Sequence, residues 1–266
     1  MKGDTEVRRR IAEIDGALPG TTTLVGDLTR VIRVMEQVND SWWRMEADEP
    51  PAINPVLADH IVATSETVGR IARQAPALAV GPVDVSAQVW TGAGGESDIR
   101  RHRPRQIELA ERHFAPLSEP GDKPRTKPWG GGLFTCTLVP GTTTTMWLMY
   151  QVPFGGRNSL FPKPWRSYRV EVSRGIRVYE VVNAQAWANL AQRYPLEQDG
   201  LLYPDWPSIA GGYDAVHVTV PAIVATQGLR LTTESGTLAE TYWDVEQTLW
   251  LNWRIDSVSP FLTGNE

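Results

Sequence analysis

The chain has 266 residues, a formal net charge of -5 and an apolar share of 41% that includes 11 Trp. This composition excludes a disordered chain, and no apolar run reaches the roughly 18–20 residues that a membrane-spanning helix needs. The N-terminal residues lack the apolar core of a secretory signal, and one cysteine excludes an internal disulfide or a cysteine-cluster metal site. We therefore expect a soluble, cytoplasmic protein with no metal and no membrane partner.

The first 80 residues carry the pattern of amphipathic helices. Apolar residues recur every three or four positions from Leu24 to Trp42, which predicts a helix that begins near Asp27 or earlier and ends before Glu49. A second helix is predicted over Pro55–Gln74, where a proline suits the first turn. Residues 75–82 resemble a linker, so the chain divides into a helical region, 1–80, and a body, 81–266.

The body alternates apolar and polar residues in short runs, which is typical of half-buried strands. A helix is predicted over Ala184–Tyr194, and residues 105–114 can form a short one. The predicted strands cover 83–90, 132–137, 144–152, 168–182, 213–220 and 248–255. Strands without regular helical crossovers predict an α+β fold rather than a doubly wound sheet.

Basic residues concentrate in the middle of this acidic chain. Residues 81–177 hold 14 basic and 8 acidic side chains, and the basic ones cluster at 100–105 and again over 157–177. These clusters are candidate docking surfaces for a phosphate-bearing partner such as a nucleic acid. The alternative is a solvated surface whose charges share a sign.

Common catalytic motifs are absent from the sequence, including a P-loop, a metalloprotease helix and a nucleophile elbow. The four histidines are scattered, and His217, in the middle of a strand pattern, is expected to have a structural role. Cys136 lies between two threonines in another strand pattern and is expected to be a small buried apolar residue.

Three separated elements carry the most informative pattern. One strand ends in Val89-Trp90-Thr91-Gly92, and a later one contains Thr135-Cys136-Thr137 after a loop with Trp129 and three glycines. Near the C-terminus, Trp243-Asp244-Val245-Glu246 leads into an apolar strand, and Gly212-Tyr213-Asp214-Ala215-Val216 precedes it. In this order the elements of residues 83–256 resemble the ADP-ribosyltransferase family, whose fold is a split sheet.

The resemblance implies NAD as the substrate and a macromolecular acceptor, nucleic acid or protein. It places Glu246 as the catalytic carboxylate, which would stabilise the positive charge that develops on the ribose. It also implies cofactor contacts from Trp90, Thr91, Gly92, Thr135 and Thr137, with Trp129 in an adjacent loop. The first strand and this loop would give the nicotinamide backbone groups and an aromatic wall.

The sequence departs from the family at two positions. Thr91 stands where the family has Arg or His, and Asp244 stands two residues before Glu246, where the family has a longer Gln or Glu. Other interpretations are open at the remaining positions. Glu246 can be a solvent-facing strand residue, the two threonines can be ordinary strand residues, and Trp129 can pack on the core from a turn.

Three functions are therefore consistent with the sequence. The first, which we favour from the sequence, is an enzyme that transfers ADP-ribose from NAD to a macromolecular acceptor. The second is an ADP-ribosyltransferase-like chain that has lost activity and acts as a binding or structural module, for which the residue at Thr91 is the main support. The third is an unrelated interaction protein in which the N-terminal helices form a docking or oligomerisation arm.

Overall fold

The structure of the chain, a computed structural model, describes residues 23–43, 55–93, 109–117, 125–128, 131–154 and 165–261. Helices and strands both occur, and the fold is α+β as expected. The helices are α1 (Leu24–Trp43), α2 (Pro55–Gln74), α3 (Pro76–Ala79), α4 (Met146–Gln151), α5 (Ala184–Arg193), α6 (Trp206–Gly212) and α7 (Val220–Thr226). The strands are β1 (Gln88–Ala93), β2 (Leu133–Thr137), β3 (Trp165–Val172), β4 (Val178–Val181), β5 (Pro195–Gln198), β6 (Leu201–Pro204), β7 (Ala215–Val218), β8 (Leu231–Thr233), β9 (Gly236–Leu238), β10 (Gln247–Trp250) and β11 (Ile255–Phe261).

Two sheets organise these strands. The larger has the order β11-β3-β1-β2-β10-β7-β4, and the smaller has the order β5-β6-β9-β8. Neighbours in the larger sheet run antiparallel, except for β4 and β7, which are parallel. As a result, three strands far apart in the sequence, β1, β2 and β10, lie side by side at the centre of the larger sheet.

Apolar residues occur at successive positions of the strands in the larger sheet. Because successive strand residues point to opposite sides, both faces of the sheet carry apolar side chains. One face, with Cys136 and Leu249, packs in a large core that also contains residues of α1, α2, α5 and α7. The other face contributes Trp90 and Trp250 to a smaller core. Burial on both sides makes the central strands part of the protein interior.

The N-terminal helices pack into the same apolar core as the sheet. Leu28 and Ile32 of α1 and Ile71 of α2 are buried in the cluster that also holds Val181 and Val218 of the strands. Helix α2 has the bounds that the sequence predicts, and α1 begins at Leu24, before Asp27. No helix of the described residues is both long and apolar enough to cross a membrane.

An ion pair joins the first two helices. Asp27 is only 4% exposed and accepts hydrogen bonds from Arg70 Nε and Nη2, the shortest of them 2.7 Å, while Thr67 contacts the same guanidinium. Replacing Arg70 by alanine leaves this buried carboxylate without its charged donor, so we expect the free energy of unfolding to fall by about 1.5–3 kcal/mol. Urea unfolding tests this, with the exposed Arg73→Ala as control. Equal, small losses in both variants would contradict the prediction.

Several predicted elements differ from the structure. The run 144–152, predicted to be a strand, contains helix α4, because the Thr145 side chain caps it by accepting from Leu148 N at 3.3 Å. A short apolar run cannot be assigned by periodicity alone, and the cap decides it here. The strand predicted from Val83 begins only at Gln88, because the Asp84 side chain accepts from Ser86 N and stabilises a 3-10 turn over Val85–Ala87.

Several shorter elements were not expected from the sequence. The part of 105–114 that the structure describes contains only a 3-10 turn, Glu111–His113, in place of a helix. The body also has helices α6 and α7, each with a proline in its first turn, and the strands of the smaller sheet. These elements are short, and short elements give little periodicity to detect.

Candidate functional site

Glu246 lies immediately before β10 and has no exposed surface. Its carboxylate accepts a hydrogen bond from Thr137 Oγ1 at 2.7 Å and another from Thr137 N at 3.1 Å. The Nε2 atom of His217 lies 3.1 Å from its Oε1 atom. The carboxylate is therefore held by β2 on one side and β7 on the other, and the solvent-facing alternative for Glu246 is wrong.

His217 connects two carboxylates inside the sheet. Its Nδ1 atom lies 2.6 Å from Glu180 Oε2 on β4, opposite the contact with Glu246, and the imidazole itself is fully buried. Glu180 also accepts a hydrogen bond from Val83 N at 2.8 Å. Both ring nitrogens face acceptors, and only the protonated imidazolium can donate from both.

A second set of hydrogen bonds continues from Thr137 across β1 and β2. Gln88 Nε2 donates to Thr137 Oγ1 at 2.9 Å, and Thr135 Oγ1 donates to Gln88 Oε1 at 2.5 Å. Trp250 Nε1 donates to Thr135 Oγ1 at 2.9 Å. We call the side chains joined in this way the polar row, which comprises Gln88, Thr135, Thr137, Glu180, His217, Glu246 and Trp250.

Strand register places the polar row on one face of the larger sheet. Thr135 is opposite Thr248, Thr248 is opposite His217, and His217 is opposite Glu180. Gln88 is opposite Thr137 on the neighbouring pair of strands. Residues directly opposite each other share a face, so five strands contribute side chains to the same row.

The remaining predicted cofactor residues divide between the two faces of the sheet. Trp90 is two residues from Gln88, shares its face and is 5.5 Å from Tyr168, ring centroid to centroid. Thr91 points to the opposite face, where its hydroxyl is 2.9 Å from Ser167 Oγ. Gly92 is buried in the same strand. Thr91 and Glu246 therefore do not face a common space, although their strands are near one another.

The segment before β10 is held by side chains from two other parts of the chain. Asp244 has a positive φ of 68°. Gln227 Oε1 accepts from Trp243 N at 2.9 Å, while Gln227 Nε2 donates to Asp244 Oδ1 at 3.0 Å. Lys127 Nζ donates to the carbonyl oxygen of Trp243 at 3.2 Å. These contacts fix the turn that brings Glu246 to Thr137.

Trp129, predicted to lie in a loop next to the site, is outside the described residues. Lys127, two residues before it, lies among aromatic rings. The ammonium group is 5.3 Å from the centroid of Phe134 and 5.5 Å from that of Trp243, and 3.9 Å from the carboxylate of Asp244. Burial lowers the pKa of Lys127. The lysine stabilises the aromatic core next to the turn by cation–π contact.

Cys136 is buried in the core, as the sequence predicts. It is opposite Val89, on the face that carries the helices, and is 5% exposed. Burial, together with the negative charge of Glu246, raises the pKa of its thiol well above the ordinary value. A thiol that stays protonated is a poor nucleophile, so the structure gives Cys136 a packing role.

The charge of His217 makes the stability of the protein depend on pH. Burial alone would lower the pKa of His217, but the hydrogen bonds and charges of Glu180 and Glu246 raise it to about 9. The ordinary value is 6.5, so the folded state holds a proton that the unfolded state releases.

We therefore expect the free energy of unfolding to fall as pH rises from about 6.5 through about 9. The imidazolium contributes on the order of 3 kcal/mol below this range. Urea unfolding at a series of pH values measures the fall, and His217→Gln is expected to remove most of it. A wild-type profile that is flat over this range would contradict the assignment of charge.

Sequence reasoning did not identify Gln88 or Glu180, and it assigned His217 only a structural role. Glu180 is one residue of an alternating strand, and His217 lies in a run of apolar residues, so each by itself is an ordinary strand position. The feature that marks these residues is a buried histidine that strand register places between two acids. Recognising it requires the strand order, which the local sequence pattern does not contain.

The proposed basic docking residues are only partly described. Residues 100–105, 157 and 163 lie outside the described ranges, whereas Arg166, Arg169, Arg174 and Arg177 are exposed. Arg169 lies over the ring of Phe261, and Arg177 lies 3.8 Å from Asp214. Within the described ranges, no group of three or more His, Cys, Asp and Glu side chains is arranged to hold a metal ion.

Comparisons with known proteins return no match of this chain to a family model, a curated protein or a solved structure.

Proposed function

We propose that this chain is an ADP-ribosyltransferase-like protein that acts as a binding or structural module, and that Glu246 organises its sheet rather than turning over NAD. The observation that carries the proposal is the state of the Glu246 carboxylate, which has no exposed surface and is bound by Thr137 and His217. A carboxylate must reach the ribose to stabilise its developing charge. Here the carboxylate is instead buried and hydrogen-bonded by other residues of the protein.

The residue at Thr91 supports the same proposal independently. The family that the sequence resembles has Arg or His at this position. Thr91 instead hydrogen-bonds to Ser167 on the face opposite Glu246. A substrate that contacted both residues would have to pass through the sheet. Thr91 and Glu246, two residues of the expected site, thus both make their hydrogen bonds within the fold.

An NAD-consuming ADP-ribosyltransferase is the second candidate, and a specific observation favours it. The three sequence elements expected to form its site lie on β1, on β2 and immediately before β10, three strands that are neighbours in one sheet, and Thr137 contacts Glu246 directly. In this candidate Thr137 orients the carboxylate. A phosphate-bearing or protein acceptor would dock on the basic residues at 100–105 and 157–177.

Nicotinamide release from NAD by the full chain separates the two candidates. For a module, we expect wild type to release no more nicotinamide than a protein-free blank, with nucleic acid or protein supplied as acceptor, and calorimetry to show no heat of NAD binding. The enzyme candidate requires release that Glu246→Gln abolishes while Glu171→Gln, an exposed control on β3, retains it. Turnover by wild type would overturn the module proposal.

A further inference from the structure

The chain Glu180–His217–Glu246 links β7, which carries His217, to four other segments of the fold. Glu180 brings in β4 and, through Val83 N, the segment before β1, while Glu246 brings in β2 and the turn before β10. Within the described residues, β4 is an edge strand of the larger sheet and pairs with β7. This hydrogen-bonded chain therefore ties the edge of the sheet to its centre.

The two ends of this chain differ in their access to water. Glu246 is fully buried, whereas the Glu180 side chain is 24% exposed. A neutral imidazole carries one N–H, so it can donate to only one of the two carboxylates. Leaving the buried Glu246 without a donor is the more costly choice because water cannot replace that donor, whereas water can solvate Glu180.

We propose that this chain is an alkaline-sensitive lock on the edge of the sheet: when His217 loses a proton, it keeps its bond to Glu246 and releases the Glu180 side chain, together with Val83. Among the described residues, the charged groups that face the imidazole are Glu180 from β4 and Glu246 from the turn before β10. The adjacent Thr137 and Val83 contribute only uncharged donors to these carboxylates. The lock does not depend on the proposed function, since it involves no ligand.

The electrostatics agree with this geometry. The two carboxylates outweigh burial and raise the pKa of His217 to about 9, so the lock is closed at neutral pH and opens above about pH 9. Two backbone hydrogen bonds report on the two ends of the lock. Val83 N donates directly to Glu180, and Thr137 N donates directly to Glu246.

Amide hydrogen exchange of the full chain tests the lock, with each rate corrected for the intrinsic effect of pH. Between pH 7 and pH 10 we expect the protection of the Val83 amide to fall about tenfold or more. The Thr137 amide and the Tyr194 amide, which follows α5 and donates to the carbonyl oxygen of Leu190, should keep their protection. Unchanged protection of Val83, or an equal fall at all three amides, would overturn the proposal.

Glu180→Gln is the matched variant. Glutamine can accept from Val83 N and donate to Nδ1 of a neutral imidazole, so we expect Val83 to stay protected at pH 10. The nitrogen NMR signals of His217 should show both ring nitrogens protonated at pH 7 in wild type, and a lower titration midpoint in the variant. A wild-type imidazole that is neutral at pH 7, or a variant whose Val83 protection falls as in wild type, would refute the lock.

Discussion

Replacing Glu246 by glutamine is expected to lower the free energy of unfolding by about 3–5 kcal/mol. The change keeps the volume of the side chain, so no cavity contributes to the loss. It removes one of two carboxylates that neutralise the buried His217, and it can place an amide N–H against the donors of Thr137. The loss arises because a buried charge and buried donors are left without an acceptor.

Urea unfolding followed by far-UV circular dichroism measures this loss. Glu171→Gln, an exposed acid on β3, is the control and is expected to change stability by less than about 0.5 kcal/mol. The double variant Glu246→Gln/His217→Gln should lose less than the sum of the single losses, because the two side chains share one interaction. A loss near that of the control would show that the polar row does not stabilise the sheet.

Replacing Trp243 by alanine is expected to lower the free energy of unfolding by a similar amount, about 3–5 kcal/mol. The side chain is fully buried, and its ring lies 6.1 Å from Phe134, 6.1 Å from Trp187 and 6.2 Å from Trp206, centroid to centroid. Alanine leaves a cavity among these rings and removes an aromatic contact of Lys127. The turn before Glu246 would lose its packing support.

Trp243→Phe separates packing from hydrogen bonding at this position. Trp243 Nε1 is buried and has no hydrogen-bond partner in the described part of the chain, so phenylalanine gives up no such bond. We expect a smaller loss of about 1–2 kcal/mol, from reduced volume alone. Val258→Ala, at an exposed position of β11, serves as control. Equal losses for the two Trp243 variants would contradict a packing role.

Strong local signals predicted several elements well. Helix α2 has the predicted bounds because a proline in its first turn and a proline after its end mark both termini. Helix α5 also follows its prediction, with Asn183 as the N-cap accepting from Ala186 N at 2.8 Å. The pattern of the residues around α4 predicts a strand, because the six residues of this helix are too few to show a helical period.

The candidate site was predicted in part. Glu246 and the threonines of β2 were identified together, and Thr137 and Glu246 are in contact. The sequence alone does not show that Thr91 and Glu246 face different sides of the sheet, because the face of a side chain relative to other strands depends on strand register. Gln88 is opposite Thr137, so Thr91, three residues later in β1, points away from the polar row.

The sequence by itself determined the α+β class, the N-terminal helices and the strand character of the residues around Thr135 and Glu246. These properties follow from periodicity, caps and turns, which act over a few neighbouring residues. Only the tertiary structure decided that Glu180 and Glu246 bind the two nitrogens of His217. Those residues are separated by tens of positions in the sequence, and their contacts depend on strand order and register. A shift of one residue would turn each of these side chains to the other face.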